Sequence, residues 1–244
     1  MQNDSLKLII FEKIKKGVKI IDGFPGLGLV GSIATDFLIE HMNAVPVGMI
    51  MGAAVPPLAA VHGGKIIRPM GLYYAEKKNI LILHVLSPVP GIEWEVSNLV
   101  KAKANELKGE VISLESVGVQ GNLPAGYKQP KGFFFTNVPK RKKELEMLGL
   151  QPLKEGIVMG VTGALMLSMD CCLTCIFAET HSNMPDSRAA ATIIQIIDDL
   201  LNLNVDPKPL LKSAEKFEEK VRTLMEEGQK AQQMAQEKSP RYVG

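Results

Sequence analysis

The stretch Gly23-Phe24-Pro25-Gly26-Leu27-Gly28-Leu29-Val30-Gly31 constrains this chain more than any other. It follows an almost continuously apolar run, Val18 to Ile21, and leads into a segment where Ile33, Ala34, Phe37, Leu38 and His41 recur at helical spacing. That succession predicts a strand–turn–helix unit whose strand lies in the middle of a sheet. Ser32 is placed to cap the helix. Gly26, Gly28 and Gly31 also spell G-x-G-x-x-G, the spacing that lets a backbone approach a dinucleotide pyrophosphate. Such a fold further requires an acid roughly 20 residues on, to hold the ribose hydroxyls. Here the next strand ends Met49-Ile50-Met51-Gly52, the first acid after Glu40 is Glu76, and Pro25 sits inside the turn. The residues of the corner, with Gly23 and Pro25 among them, are therefore assigned to a tight turn and to close strand–helix packing. No cofactor is expected.

Strands and helices alternate along the rest of the chain. Leu6 to Glu12, Val45 to Met51, Ile80 to Leu86, Val111 to Val119, Phe133 to Asn137, Gly156 to Val161 and Cys171 to Glu179 read as strands. Lys65 to Pro69 and Gly71 to Ala75 read as the edge strands of a hairpin. Helices are predicted from Ile92 to Leu107, over Lys140 to Leu148, after Thr162, and from Arg188 to Leu203 behind an Asp186 cap. The pattern predicts an α/β fold with a mixed, mostly parallel sheet flanked by helices. Residues 1–204 are taken as one α/β core domain, residues 205–235 as a C-terminal helix, and residues 236–244 as a flexible tail. In that helix Leu210, Ala214, Phe217, Val221, Leu224, Gly228, Ala231 and Ala235 step alternately by four and three, a heptad stripe of about three and a half repeats. Leu210, Phe217, Val221 and Leu224 are its large members, the candidates for packing on the core or on another subunit. Asp206 and Pro207 form its start.

Charge and composition narrow the functional classes. A net charge of +2 argues against a nucleic acid or a membrane surface as partner, and 5 % aromatic residues argue against base stacking. No run of about 18 apolar residues predicts a membrane span, and Met1 to Ser5 lacks the pattern of a signal peptide. Cys171, Cys172 and Cys175 are clustered and odd in number, which is no disulfide framework and points to a reducing cytoplasm.

Four groups of residues invite chemistry. Gly160-Val161-Thr162-Gly163-Ala164 offers backbone N–H groups to an anion, yet has no P-loop lysine; Gly160 and Gly163 fit a second tight corner. Cys171, Cys172, Cys175 and His181 contain one C-x-x-C spacing but no second pair to close a tetrahedron, so the cysteines are read as structural and no metal is expected. The remaining histidines, His41, His62 and His84, fall in no Ser-His-Asp order; sequence leaves open whether His62 meets Glu93 and Glu95 in a pocket. Glu179, Thr180, His181, Asp186 and Arg188 directly follow a buried strand, where α/β sheets bind ligands. They make either the pocket of a small-molecule enzyme or a capped helix with a salt-bridged loop.

Gly23 to Gly31, Gly160-Val161-Thr162-Gly163-Ala164-Leu165, Ala178-Glu179-Thr180 and Pro185-Asp186-Ser187-Arg188-Ala189-Ala190 together resemble the archaeal homologues of the eukaryotic proteasome assembly chaperone 2. The resemblance runs from about Leu6 into the C-terminal helix. It implies a nucleoside-phosphorylase-like α/β domain without enzymatic activity, a ring-like homo-oligomer, and proteasome α-subunits or another protein complex as partner. It also implies a C-terminal tail that docks between α-subunits through hydrophobic–Tyr–any residue. The chain ends Arg241-Tyr242-Val243-Gly244, with Tyr242 third from last and Arg241 in the hydrophobic place. Two readings follow: a non-enzymatic, cytoplasmic chaperone or scaffold, and a phosphorylase- or hydrolase-like enzyme with its pocket near Glu179 to Asp186.

Overall fold

Aliphatic and β-branched runs become strands wherever their alternate side chains find cover on two faces. The computed structural model describes residues 5–62, 64–88, 90–118, 130–168, 170–180, 184–212, 220, 223, 226–228 and 230. Its strands are β1 (Lys7–Ile10), β2 (Lys19–Gly23), β3 (Val45–Met51), β4 (Ala60–His62), β5 (Lys65–Ile67), β6 (Met70–Ala75), β7 (Ile80–Val85), β8 (Glu110–Gly118), β9 (Gly132–Thr136), β10 (Gln151–Pro152) and β11 (Leu173–Thr180). The α-helices are α1 (Val30–His41), α2 (Glu93–Glu106), α3 (Pro139–Met147), α4 (Gly160–Ser168), α5 (Ser187–Leu201) and α6 (Lys208–Lys212).

Nine strands form one sheet in the order β1-β3-β6-β7-β2-β8-β11-β9-β10, while β4 and β5 pair apart from it. The sheet is mixed, as its pattern predicts, but parallel pairs make up half of its neighbouring pairs rather than most of them. Parallel pairing joins β7, β2, β8 and β11 into a central block and recurs between β9 and β10. The other four neighbouring pairs are antiparallel. On one face Ile21, Ile82, Ile112 and Ile176 pack with Ile33 and Leu38 of α1 and Ile193 and Ile197 of α5. On the other, Ile20, Leu81, Val111 and Phe177 pack with Val96 and Val100 of α2 and Val161 and Leu165 of α4. The four parallel strands are buried on both sides, which explains why their runs are largely apolar rather than alternating. Their carboxyl ends share one rim of the sheet, and the glycine corner and the start of α5 meet there.

Three local readings change. Met70–Ala75 is an interior strand between β3 and β7, and the separate hairpin is β4–β5. Gly156 to Met159 form no strand, and Gly160, at φ +70°, instead turns the chain into α4; two glycines in six residues leave Ile157 and Met159 exposed rather than laddered. Ser32 does not cap α1: a 3-10 turn at Leu27–Leu29 precedes the helix, Leu29 takes a left-handed conformation at its start, and the Ser32 hydroxyl donates to Val85 O instead. Asp206 does meet the start of α6, accepting from Lys208 N at 3.0 Å. Residues 220, 223, 226–228 and 230 are helical. Among the described residues no helix is long and apolar enough to cross a membrane.

Candidate functional site

Polar residues break the apolar runs of the two central strands on the same face. In β2 the break is Asp22; in its parallel neighbour β8 it is Ser113, the register partner of Asp22, and then Glu115. A strand's period of two sends all three toward α4. Ser113 Oγ donates to Asp22 Oδ1 at 2.6 Å, and Thr162 Oγ1 of α4 stands 2.9 Å from Ser113 Oγ. Thr162 also reaches Glu115 Oε2 at 3.5 Å, and Ser116 N donates to Glu115 Oε1 at 2.9 Å. Asp22 Oδ2 is buried and has no hydrogen-bond partner among the described residues. Removal from water favours the neutral form of both acids. Burial raises the Asp22 carboxyl to about 7, with the Ser113 hydrogen bond pulling down and the Glu115 charge pushing up. Burial likewise raises Glu115 to about 7 against the hydrogen bonds from Ser116 and Thr162.

The glycine corner is the lid of this cluster. A side chain at Gly26 would collide with the Glu115 carboxyl, so the absent Cβ is what lets the loop lie on it. Ser116 Oγ donates to Leu27 O at 2.6 Å and ties the loop down beside it. Gly28, at φ +65°, turns left-handed, and Asp186 N donates to its carbonyl at 2.8 Å. Asp186 then uses its carboxylate twice. Oδ2 accepts from Thr180 Oγ1 at 2.8 Å, and Oδ1 caps α5 through Arg188 N and Ala189 N at 3.1 and 3.0 Å. Gly163 gives the second corner its close approach to Val158 O. Two backbone N–H groups at these corners serve the fold's own carbonyls: Leu29 N donates to Gly26 O at 3.1 Å and Gly163 N to Met159 O at 3.3 Å.

The enzyme-like group after β11 is split by the pleat. Glu179 faces the α4 side and borders a cavity of about 450 Å³ with Phe133, Leu153 and Ile157; its Oε2 accepts from Lys131 N. Thr180 is buried on the opposite face with Asp186. His181 lies outside the described residues. Glu93 accepts from Gly91 N two residues away, and Glu95 accepts from Leu6 N ahead of β1. His41 stacks on Phe37, and the side chain of His62 is outside the description. Cys171 and Cys175 are buried, Cys172 is exposed, and burial pushes the Cys171 thiol up to about 11 and that of Cys175 well above the usual range. A buried thiol that keeps its proton is a poor nucleophile. Among the described residues no three His, Cys, Asp or Glu side chains converge as a metal site.

Of the heptad residues, Leu210 is helical in α6, while Phe217, Val221 and Leu224 lie outside the described residues, as do Arg241, Tyr242, Val243 and Gly244. The Asp22–Ser113–Glu115 cluster was missed from sequence, although its signal was present. Polar residues at the inward positions of Ile20-Ile21-Asp22 and Val111-Ile112-Ser113-Leu114-Glu115 need buried partners.

Comparison with known proteins places these features. A model of the PAC2 family matches residues 20–225. An uncharacterised protein of Methanocaldococcus jannaschii is 30 % identical over 98 % of this chain and 99 % of its own. Among solved structures, Pyrococcus furiosus PbaA, described as an archaeal homolog of proteasome-assembly chaperone, superposes with a TM-score of 0.82 at 28 % identity, covering 93 % of this chain and 99 % of that one. Pyrococcus furiosus PbaB, described as an archaeal proteasome activator, shares the fold at a TM-score of 0.73 and 17 % identity, covering 91 % and 99 % of the two chains.

Proposed function

Because the chain belongs to the PAC2 family, we propose that it is a non-enzymatic, homo-oligomeric chaperone or scaffold, ring-like in assembly, that binds proteasome α-subunits or another protein complex. The observation that carries the reading is the whole-length likeness to PbaA, a homolog of proteasome-assembly chaperone by its description. The surface supports it. Ile157, Met159, Leu167 and Val61 are 88, 77, 75 and 70 % exposed, large apolar side chains available to a partner. The reading places the protein in the cytoplasm, where its three free cysteines stay reduced. It assigns partner docking to Arg241, Tyr242, Val243 and Gly244, and subunit or core packing to Leu210, Phe217, Val221 and Leu224.

The competing reading, a phosphorylase- or hydrolase-like enzyme, draws on the cavity beside Glu179. Asp186 and Thr180 are turned away from that cavity and spent on the α5 cap and the glycine corner. Native mass spectrometry gives the subunit number, and a pull-down with purified proteasome α-subunits tests the partner. A monomer that captures no α-subunit sinks the proposal.

A further inference from the structure

Two carboxyls joined through hydroxyl groups must satisfy a proton count. Asp22 Oδ1, Ser113 Oγ, Thr162 Oγ1 and Glu115 Oε2 form a chain of oxygens with steps of 2.6, 2.9 and 3.5 Å. Three hydrogen bonds need three protons, and the two hydroxyls supply one each. The third must sit on a carboxyl. With it on Glu115, donation runs from Glu115 through Thr162 and Ser113 to Asp22; with it on Asp22, the chain runs the other way. With both acids ionised, one link sets lone pair against lone pair between two buried negative charges. Among the described residues Asp22 Oδ2 has no donor to relieve it. Nor does any described cation act on either acid. From β11 the Cys175 thiol faces the pair and keeps its proton, and Glu179 follows on the same face as the register partner of Val117. The Cys171 thiol, ahead of β11, also stays protonated. Lys101 of α2 is paired with Asp170 at 3.1 Å.

The glycine corner is the part of this enclosure that can yield. Phe24 to Val30 hold no titratable side chain. Asp22 is wholly buried, Glu115 is 9 % exposed, and the backbone at Gly26 lies directly on the Glu115 carboxyl. Two hydrogen bonds hold the loop down: Ser116 Oγ donates to Leu27 O at 2.6 Å and Asp186 N to Gly28 O at 2.8 Å. Leu29 is kept at φ +52°, a left-handed conformation that a bulky side chain adopts only under constraint, and Gly28 beside it turns at φ +65°. Lifting the loop would relax Leu29 and let water reach Glu115 first.

We infer that the glycine corner is a proton-operated lid: it closes on the Asp22–Glu115 chain while that chain holds its third proton, and lifts between Gly26 and Leu29 when the proton leaves. Opening breaks the Gly28–Asp186 hydrogen bond and so frees the first turn of α5 as well. The device stands whether or not the chain binds a proteasome. Its sign follows from burial. Glu115 has an ordinary value of 4.5 once hydrated and about 7 beneath the lid, so rising pH favours opening between those values and adds no further bias above them.

Residue-resolved amide hydrogen exchange of the full-length chain, corrected at each pH for the intrinsic rate, tests the lid. Leu29 N and Asp186 N are the reporters, since both are hydrogen-bonded when it is closed. Their protection is expected to fall about tenfold per pH unit between about pH 5 and 7 and to level off above. Low urea should leave it unchanged, because local opening exposes little surface, while the β7 amides stay far better protected. Glu115→Gln gives the chain a permanent N–H donor toward Thr162 and keeps an acceptor for Ser116 N, so it should hold the corner closed and flatten the profile. Should that variant fail to fold, Asp22→Asn supplies the donor from the other end and the same flattening is expected. Corner protection that ignores pH in the natural chain, or that falls equally in the amide variant, overturns the lid. So does a fall that only follows the β7 amides and urea, which is global unfolding.

Discussion

A Cβ on Gly23 would stand 2.6 Å from the carbonyl carbon of Gly31, so the end of β2 and the first turn of α1 meet backbone to backbone. The contact is reciprocal, since a Cβ on Gly31 would fall 3.0 Å from Gly23 Cα and 2.5 Å from Leu114 O. Neither neighbour is a flexible side-chain end that could swing aside. We predict that Gly31→Ala destabilises the fold by about 1–3 kcal/mol or more, the usual cost of overpacking a tight interior. Gly17→Ala is no control, because Gly17 is left-handed, but Gly156→Ala is, with only the Leu153 side chain near it. Urea unfolding of the two variants should separate them clearly. Equal midpoints would show that the corner tolerates side chains and that its glycines have another purpose.

The carboxyl pair beneath the corner predicts a specific pH dependence. Asp22 and Glu115 are raised to about 7 in the folded chain from ordinary values of 3.8 and 4.5. An acid raised on folding holds its proton longer in the native state than in the unfolded one. Stability is therefore greatest below the unfolded values, falls as pH climbs from about 4 toward 7, and stays low above that. The penalty is on the order of 3 kcal/mol for each group, less where the two titrate as a coupled pair. Asp22→Asn keeps an acceptor for the Ser113 hydroxyl, and Glu115→Gln keeps one for Ser116 N. The double variant should lose the slope between about pH 4 and 7 and overtake the natural chain at the alkaline end. Parallel pH profiles for the two proteins would remove the cluster as the cause.

Asp186 ties three elements together, and its removal should show in more than one of them. Its carboxylate caps α5 and accepts from Thr180, while its own N–H holds Gly28 O. Losing a helix cap costs about 1 kcal/mol, and leaving the buried Thr180 hydroxyl without its acceptor adds about 1–3 kcal/mol. Asp186→Ala is thus expected to lower stability by about 2–4 kcal/mol. Asp186→Asn, which retains an acceptor, should recover about half. Hydrogen exchange should locate the loosening in the first turn of α5 and in the glycine corner. An undisturbed corner would break the proposed link between them.

How much of this was legible in the sequence depended on distance along the chain. The glycine corner, β2 and α1 are local: a periodic pattern and a run of glycines specify them within 25 residues of one another. The Asp186 cap is local as well. The polar cluster is not, because Asp22 and Ser113 are brought together by strand register across 91 positions. Only the oddity of each polar residue in its own apolar run is visible, and the same holds for His84 in β7. The misplaced strand at Gly156 to Val161 failed for the opposite reason. An apolar run with two glycines suits a strand or a bend equally well, and the left-handed turn at Gly160 decides in favour of the bend. Gly71 to Ala75 reads from sequence as the edge strand of a hairpin with Lys65 to Pro69, whereas the sheet seats Met70–Ala75 between β3 and β7.

The chain's last residues, 236–244, carry the remaining prediction. Gln236 to Gly244 hold a proline and no apolar periodicity. The shortened chain should therefore unfold at the same urea concentration as the full one. If Tyr242 fills a pocket between α-subunits and the terminal carboxylate meets a lysine there, both the deletion and Tyr242→Ala should weaken capture of α-subunits about tenfold or more, the loss of about 1.4 kcal/mol or more of binding. Arg241 stands where the docking pattern has an apolar residue, so Arg241→Leu should strengthen the same interaction if that pattern applies. The three variants separate the tail from the rest of the chain. Weakened capture by the deletion and the alanine, with a gain from the leucine, assigns docking to the tail. Unaltered affinity in all three moves the partner's contact to the exposed apolar surface around Ile157, Met159 and Leu167, leaving the tail no docking role.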